Sequence, residues 1–212
     1  MFGRHAFVCC MISILTSTSA FAQDENAKVD TKKQPAASLT KQRFVSPYGY
    51  TLVPPNSWAG YSRHVSDKTV EGLEPQLQDR LEVDNIDIIF ISMMPNGKDF
   101  KYENNIVIAR IPLRLRFDKV NLGKFREHVL DAQFSKFYKS YEIINYSVIK
   151  LGGRDVINVD MKASTESLTL YQRQIYVPLG STAIMVNCAT SEAATEPVRA
   201  VCEAVAASVK PL

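Results

Sequence analysis

Residues 142–161 read EIINYSVIKLGGRDVINVDM. Gly152-Gly153 separates two runs of strand length, Glu142–Leu151 and Arg154–Met161, and a two-residue glycine turn between such runs is a strong short-range hairpin signal. In the second arm Ile157, Val159 and Met161 alternate with Asn158 and Asp160. That period of two is expected of an antiparallel strand with one face buried and the other solvated. A second pair of runs, Leu168–Val177 and Ala183–Cys188, flanks Pro178-Leu179-Gly180-Ser181. Together they predict a meander of antiparallel strands.

Upstream of residue 142 the apolar period lengthens. Asn121 can cap a helix in which Leu122, Phe125, Val129, Leu130, Phe134, Phe137, Tyr138 and Tyr141 share one broad face. Before it, Ile86–Met94 and Ile106–Ile111 are apolar runs of strand length, the first closed by Pro95-Asn96-Gly97 and the second limited by Pro112. Residues 70–81 carry a helical spacing that Gly72 and Pro75 interrupt, so any helix there is short or irregular. Arg43–Ser46 and Tyr50–Val53 are short strand-like runs about the turn Pro47-Tyr48-Gly49, and Tyr61–Val65 extends this region. Downstream, Thr195-Glu196-Pro197 opens a closing helix whose apolar stripe is Val198, Val201, Cys202, Val205 and Val209. Strands, a long helix, a meander and a final helix give an α+β order, not the βαβ alternation of a parallel fold. The expected architecture is a mainly antiparallel twisted sheet flanked by helices.

The whole chain has 212 residues, 46% of them hydrophobic, and a formal net charge of +3. These values exclude wholesale disorder and a collagen-like fibre, and the charge is too small to indicate a nucleic-acid partner. No apolar run reaches the ~18 residues that a spanning helix needs. Residues 1–22 have the pattern of a secretory signal peptide: basic Arg4-His5, an apolar Ala6–Leu15, then Ala20-Phe21-Ala22 as a cleavage site. Cys9 and Cys10 fall inside the apolar stretch and would be discarded with it. Residues 23–42 are polar and Pro/Ala-rich, as a flexible tether is. This leaves a single domain over 43–212 and a periplasmic or secreted location.

Two cysteines would remain, Cys188 on a strand and Cys202 on the last helix. An oxidising compartment invites a disulfide between them, the alternative being two buried thiols.

The stretch Phe44-x-Ser46-Pro47-x-Gly49-Tyr50-Thr51-Leu52-x-Pro54-x-x-x-Trp58 resembles the start of PsbP-like domains, and the later element order over Arg43–Leu212 is similar too. The resemblance implies an α/β/α sandwich that serves as a binding or accessory module. Members of that family include an extrinsic photosystem subunit, bacterial secretion chaperones and exported proteins of unknown role. Trp58 is the one position that matches, with a structural part to play, and no catalytic residue carries over. Fold alone does not fix the function.

The residues offer little chemistry. His64 and His128 stand in no metal-ligand spacing, and the H-E-x-x-H, C-x-x-C and G-x-S-x-G patterns are missing, so neither a metal nor a cofactor is expected. Glu82, Asp84 and Asp87 cluster before a strand and are expected at a solvated loop edge, the alternative being a paired-carboxylate role. Arg110, Arg114 and Arg116 alternate with apolar residues, which places three cations on one face if the strand continues past Pro112. Such a row suits an acidic partner, a lipid headgroup or a carboxylate, or else protects an edge strand. Tyr48 and Tyr102 are aromatic contact candidates. The reading that follows is an exported binding or accessory protein that recognises an envelope protein partner without catalysis. The alternatives are an enzyme with a cleft that spacing does not disclose, and a carrier of a small apolar or amphipathic ligand. A deep cavity between the sheet and the long helix would favour the carrier.

Overall fold

The β-branched and aromatic runs of the sequence become strands, and glycines turn the chain between them. A computed structural model describes residues 39–56, 58–62, 86–92, 104–112, 122–131, 134, 138–164, 169–190 and 195–212. The expected signal peptide, most of the tether and residues 70–81 lie outside these. Strands β1 (Phe44–Ser46), β2 (Tyr50–Leu52) and β3 (Trp58–Ser62) come first. Then come β4 (Ile86–Ser92) and β5 (Asn105–Pro112). Helix α1 spans Leu122–Phe125 and runs on as a π-helical turn over Arg126–Asp131. The meander is β6 (Ser140–Leu151), β7 (Arg154–Ser164), β8 (Thr169–Leu179) and β9 (Thr182–Thr190). Helix α2 (Thr195–Ser208) and β10 (Lys210–Pro211) close the chain.

Seven strands form one antiparallel sheet in the order β3-β4-β5-β9-β8-β7-β6, and β1, β2 and β10 form a small second sheet. Gly152 and Gly153 both have positive φ, +57° and +78°, so the β6–β7 hairpin turns on the two residues that the sequence offers for it. The β8–β9 turn is tighter than expected: Leu179 already pairs with Thr182 and Pro178 lies within the strand.

Both faces of the large sheet are covered. On one, Ile106, Ile108, Val156, Ile175, Val177, Ile184 and Val186 pack with Val198, Cys202, Val205 and Val209 of α2 and with Tyr50 and Leu52 of the small sheet. On the other, Phe125, Leu130, Phe134 and Tyr138 pack onto Ile157, Val159, Met161 and Tyr176. The ring of Phe125 stands edge-on to Tyr176, centroids 5.0 Å apart. Among the described residues, these side chains pack directly onto the sheet where a carrier's cavity was expected, between the sheet and α1.

Two expectations need correction. Tyr141 belongs to β6 and not to the helix, although it still packs on the same layer. Asn158 and Asp160 do not point to solvent: Asn158 is fully buried, because α2 covers the face that alternation assigned to water. Trp58, given a structural part by the resemblance, opens β3 opposite Ser92 and packs partly buried against the α2 core.

Candidate functional site

Among the described residues, two places that gather polar side chains stand out. The first is the corner where the β1–β2 turn meets β4 and β5. Ser46 Oγ accepts from the Tyr48 amide at 3.1 Å and donates to Asp87 Oδ2 at 2.5 Å. The Tyr50 hydroxyl donates to the same Asp87 oxygen. Asp87 lies at a register shift between Ile86 and Ile88 and is completely buried, so it is not on a solvated loop edge. The irregularity in β4 is what allows a carboxylate amid five buried aliphatic and aromatic neighbours to meet the small sheet. Burial, and next the nearby Asp87 charge, push the Tyr50 hydroxyl pKa upward.

On the same corner the Arg110 guanidinium lies over the Tyr48 ring, 4.4 Å from its centroid. Arg110 sits on β5 opposite Ile184 of β9. The Tyr48 ring packs at the rim of the α2 core. The chain end closes the corner, with the Leu212 amide donating to the Gly49 carbonyl at 3.1 Å. Of the contact residues expected from sequence, the structure thus unites Tyr48 and Arg110. Tyr102, Arg114 and Arg116 lie outside the described residues, as do His64, Glu82 and Asp84.

The second place is a cleft of about 250 Å³ between the first turn of α2 and the β6–β9 side of the sheet. Its walls are largely apolar, from Ile144, Met161, Tyr171 and Val198. Its charges are Asp160, Arg173 and Arg199. Asp160 and Arg173 stand opposite each other on β7 and β8, Arg173 Nε lying 3.7 Å from Asp160 Oδ1. Arg199 Nη2 reaches Asp160 Oδ2 at 2.9 Å, and Arg173 Nη2 reaches Glu203 on α2 at 2.8 Å. Asn158 and Asn145 also donate to Asp160 Oδ2, at 3.1 and 3.3 Å. Lys162 lies over the Tyr171 ring, 5.5 Å from its centroid.

A disulfide joins Cys188, which also lines the cleft, to Cys202 and so ties α2 to β9. The sequence held one signal of this cleft: Arg173 has the same strand parity as the core residues Ile175 and Val177, a charged side chain at an inward position. Among the described residues no group of three or more His, Cys, Asp or Glu side chains is placed to hold a metal ion, and no helix is long and apolar enough to cross a membrane.

No family model matches the sequence. No curated protein matches it either. Among solved structures, the solution structure of CyanoP, the cyanobacterial PsbP of Synechocystis sp. PCC 6803, aligns over 85% of this chain and 96% of its own. The TM-score is 0.51 and the identity 18%. LpqN of Mycobacterium tuberculosis, involved in cell envelope biogenesis, aligns over 84% of this chain and 86% of its own, with a TM-score of 0.46 and 12% identity. The domain is PsbP-like in fold.

Proposed function

We propose that the protein is an exported, periplasmic binding or accessory protein that recognises an envelope protein partner by surface contact and catalyses no reaction itself. Residues 1–22 carry the signal pattern that supports export. The observation that supports recognition is the Arg110 guanidinium held over the Tyr48 ring. A guanidinium fixed on an aromatic face loses less side-chain freedom when it meets a carboxylate, and Tyr and Arg are the residue types that dominate binding energy at interfaces. The corner beneath is anchored, because Ser46 and Tyr50 tie the turn to Asp87 inside the sheet.

A photo-crosslinking amino acid tests this. Val45 and Val148 are both exposed, Val45 beside the corner and Val148 on β6. Irradiated in its own cell envelope, the chain with the crosslinker at 45 is expected to give one dominant adduct that the chain labelled at 148 does not. Equal adducts from both positions, or none from 45, would contradict the reading.

A further inference from the structure

The cleft beside α2 lies away from the Arg110–Tyr48 corner: Cys188 and Thr190 of β9 line it, whereas Arg110 faces Ile184 nearer the start of that strand. It raises a separate question, namely what it would hold. Its volume of about 250 Å³ equals roughly eight water molecules of liquid, enough for one medium-sized organic group and too little for a folded segment. Ile144, Met161, Tyr171 and Val198 present mainly hydrocarbon and ring surface to it, which favours an apolar body.

The charges decide the sign of the rest. Asp160 is only 14% exposed and is already met by Arg199, Arg173, Asn158 and Asn145, so an incoming cation would find its carboxylate committed. The most exposed charged side chain in the lining is Arg199, at 38%, while Arg173 is held at 9% between Asp160 and Glu203. Lys162 over Tyr171 adds a further cation beside the same wall. An arginine at the mouth of an apolar recess matches a carboxylate on an apolar stem, since the planar guanidinium can share its donors between Asp160 and a second carboxylate.

We infer that the cleft binds a monocarboxylate with a short apolar body, its carboxylate on Arg199 and its body against Ile144, Tyr171 and Val198. A free acid and the C-terminal residue of a peptide both offer this chemistry. The disulfide holds the two walls together, because Cys202 fixes the helix that carries Val198 and Arg199 to the strand that carries Cys188.

The test titrates the whole domain with 4-phenylbutanoate and with its neutral amide, following backbone amide resonances. The acid is expected to bind about tenfold more tightly than the amide, with the shifted resonances centred on the cleft. Arg199→Gln is expected to reduce the acid to the level of the amide, and Arg199→Lys to retain part of the difference. Ile144→Glu, at a position 57% exposed, provides a second variant that leaves the Asp160 pairs in place and is expected to weaken the acid more than the amide. N-acetyl-Leu-Phe with a free C-terminus separates the two sources: tighter binding than 4-phenylbutanoate assigns a peptide end, weaker binding a free acid. Equal affinity for acid and amide, an undiminished acid affinity in Arg199→Gln, or shifts away from the cleft would overturn the inference. None of these results bears on crosslinking at the Arg110–Tyr48 corner, so the two readings can fail separately.

Discussion

Tyr50 on the small sheet donates its hydroxyl to the buried carboxylate of Asp87 on the large one, 2.5 Å away, and Ser46 donates to the same oxygen. The pair is a buried polar link between the two sheets, set among the apolar contacts of Tyr50 and Leu52 with the large sheet. A buried carboxylate is costly to leave under-bonded. Tyr50→Phe keeps the ring and removes one donor, so it should lower stability by about 1–3 kcal/mol in chemical denaturation. An unchanged midpoint would mean that the hydroxyl contributes nothing to the link.

The β6–β7 turn touches the end of α2, and its two glycines differ in that respect. A Cβ on Gly152 would lie 3.1 Å from the Ala207 carbonyl oxygen, whereas one on Gly153 would meet nothing within 4 Å. Both positions have positive φ, which costs an L-residue about 1–2 kcal/mol. Gly153→Ala should pay only that cost. Gly152→Ala should lose more, because the contact with the helix is backbone. Equal losses in thermal unfolding would contradict the close approach of turn and helix.

Reduction of the disulfide should destabilise the domain. The bridge joins residues 14 apart in sequence. The chain-entropy estimate for such a loop is about 3 kcal/mol. Thiol titration of the denatured, unreduced mature chain should find no free cysteine, and two free thiols would refute the bridge in the native protein.

Alkaline pH should weaken the fold through two tyrosines, Tyr50 fully buried and Tyr146 half-buried. Burial pushes the Tyr146 hydroxyl up to about 12 from the ordinary 10.0. It drives the Tyr50 hydroxyl upward as well. Because these pKa values are raised in the folded state, the unfolded chain gives up its protons first and binds fewer of them. Their contribution is therefore complete below the unfolded value and is lost as pH climbs through the folded one. Tyr146→Phe should flatten the decline of the urea midpoint above about pH 10. The same slope in both proteins would show that Tyr146 is not perturbed.

How much of this was legible in the sequence follows from the range of each interaction. The hairpin at Gly152-Gly153 and the alternation at Ile157, Val159 and Met161 are local, and β6 and β7 follow them closely. Cys188 and Cys202 were readable as a candidate pair because they are the two cysteines left once residues 1–22 are set aside, and an oxidising compartment favours a bridge. Asp87 and Asp160 were not readable, because an acidic residue in sequence looks solvated until a covering layer is known. Helix α2 covers Asp160, and the Ser46–Tyr50 hairpin covers Asp87. The break near Tyr141 was hidden for a related reason: its ring packs on Phe134, centroids 5.4 Å apart, so it keeps an apolar neighbour whichever element carries it. Tyr48 and Arg110 were each visible as contact candidates, but only the folded chain puts one on the other.

The most direct measurement of the central claim is the affinity of the crosslinked partner, once purified, for the unaltered chain and for Arg110→Glu. Both chains should unfold at similar denaturant concentrations, since Arg110 is only partly buried. Recognition through the Arg110–Tyr48 corner predicts a Kd at least about tenfold weaker for Arg110→Glu, as expected of a charge-reversed anchor. An unchanged Kd would contradict recognition through this corner and place the partner elsewhere on the domain.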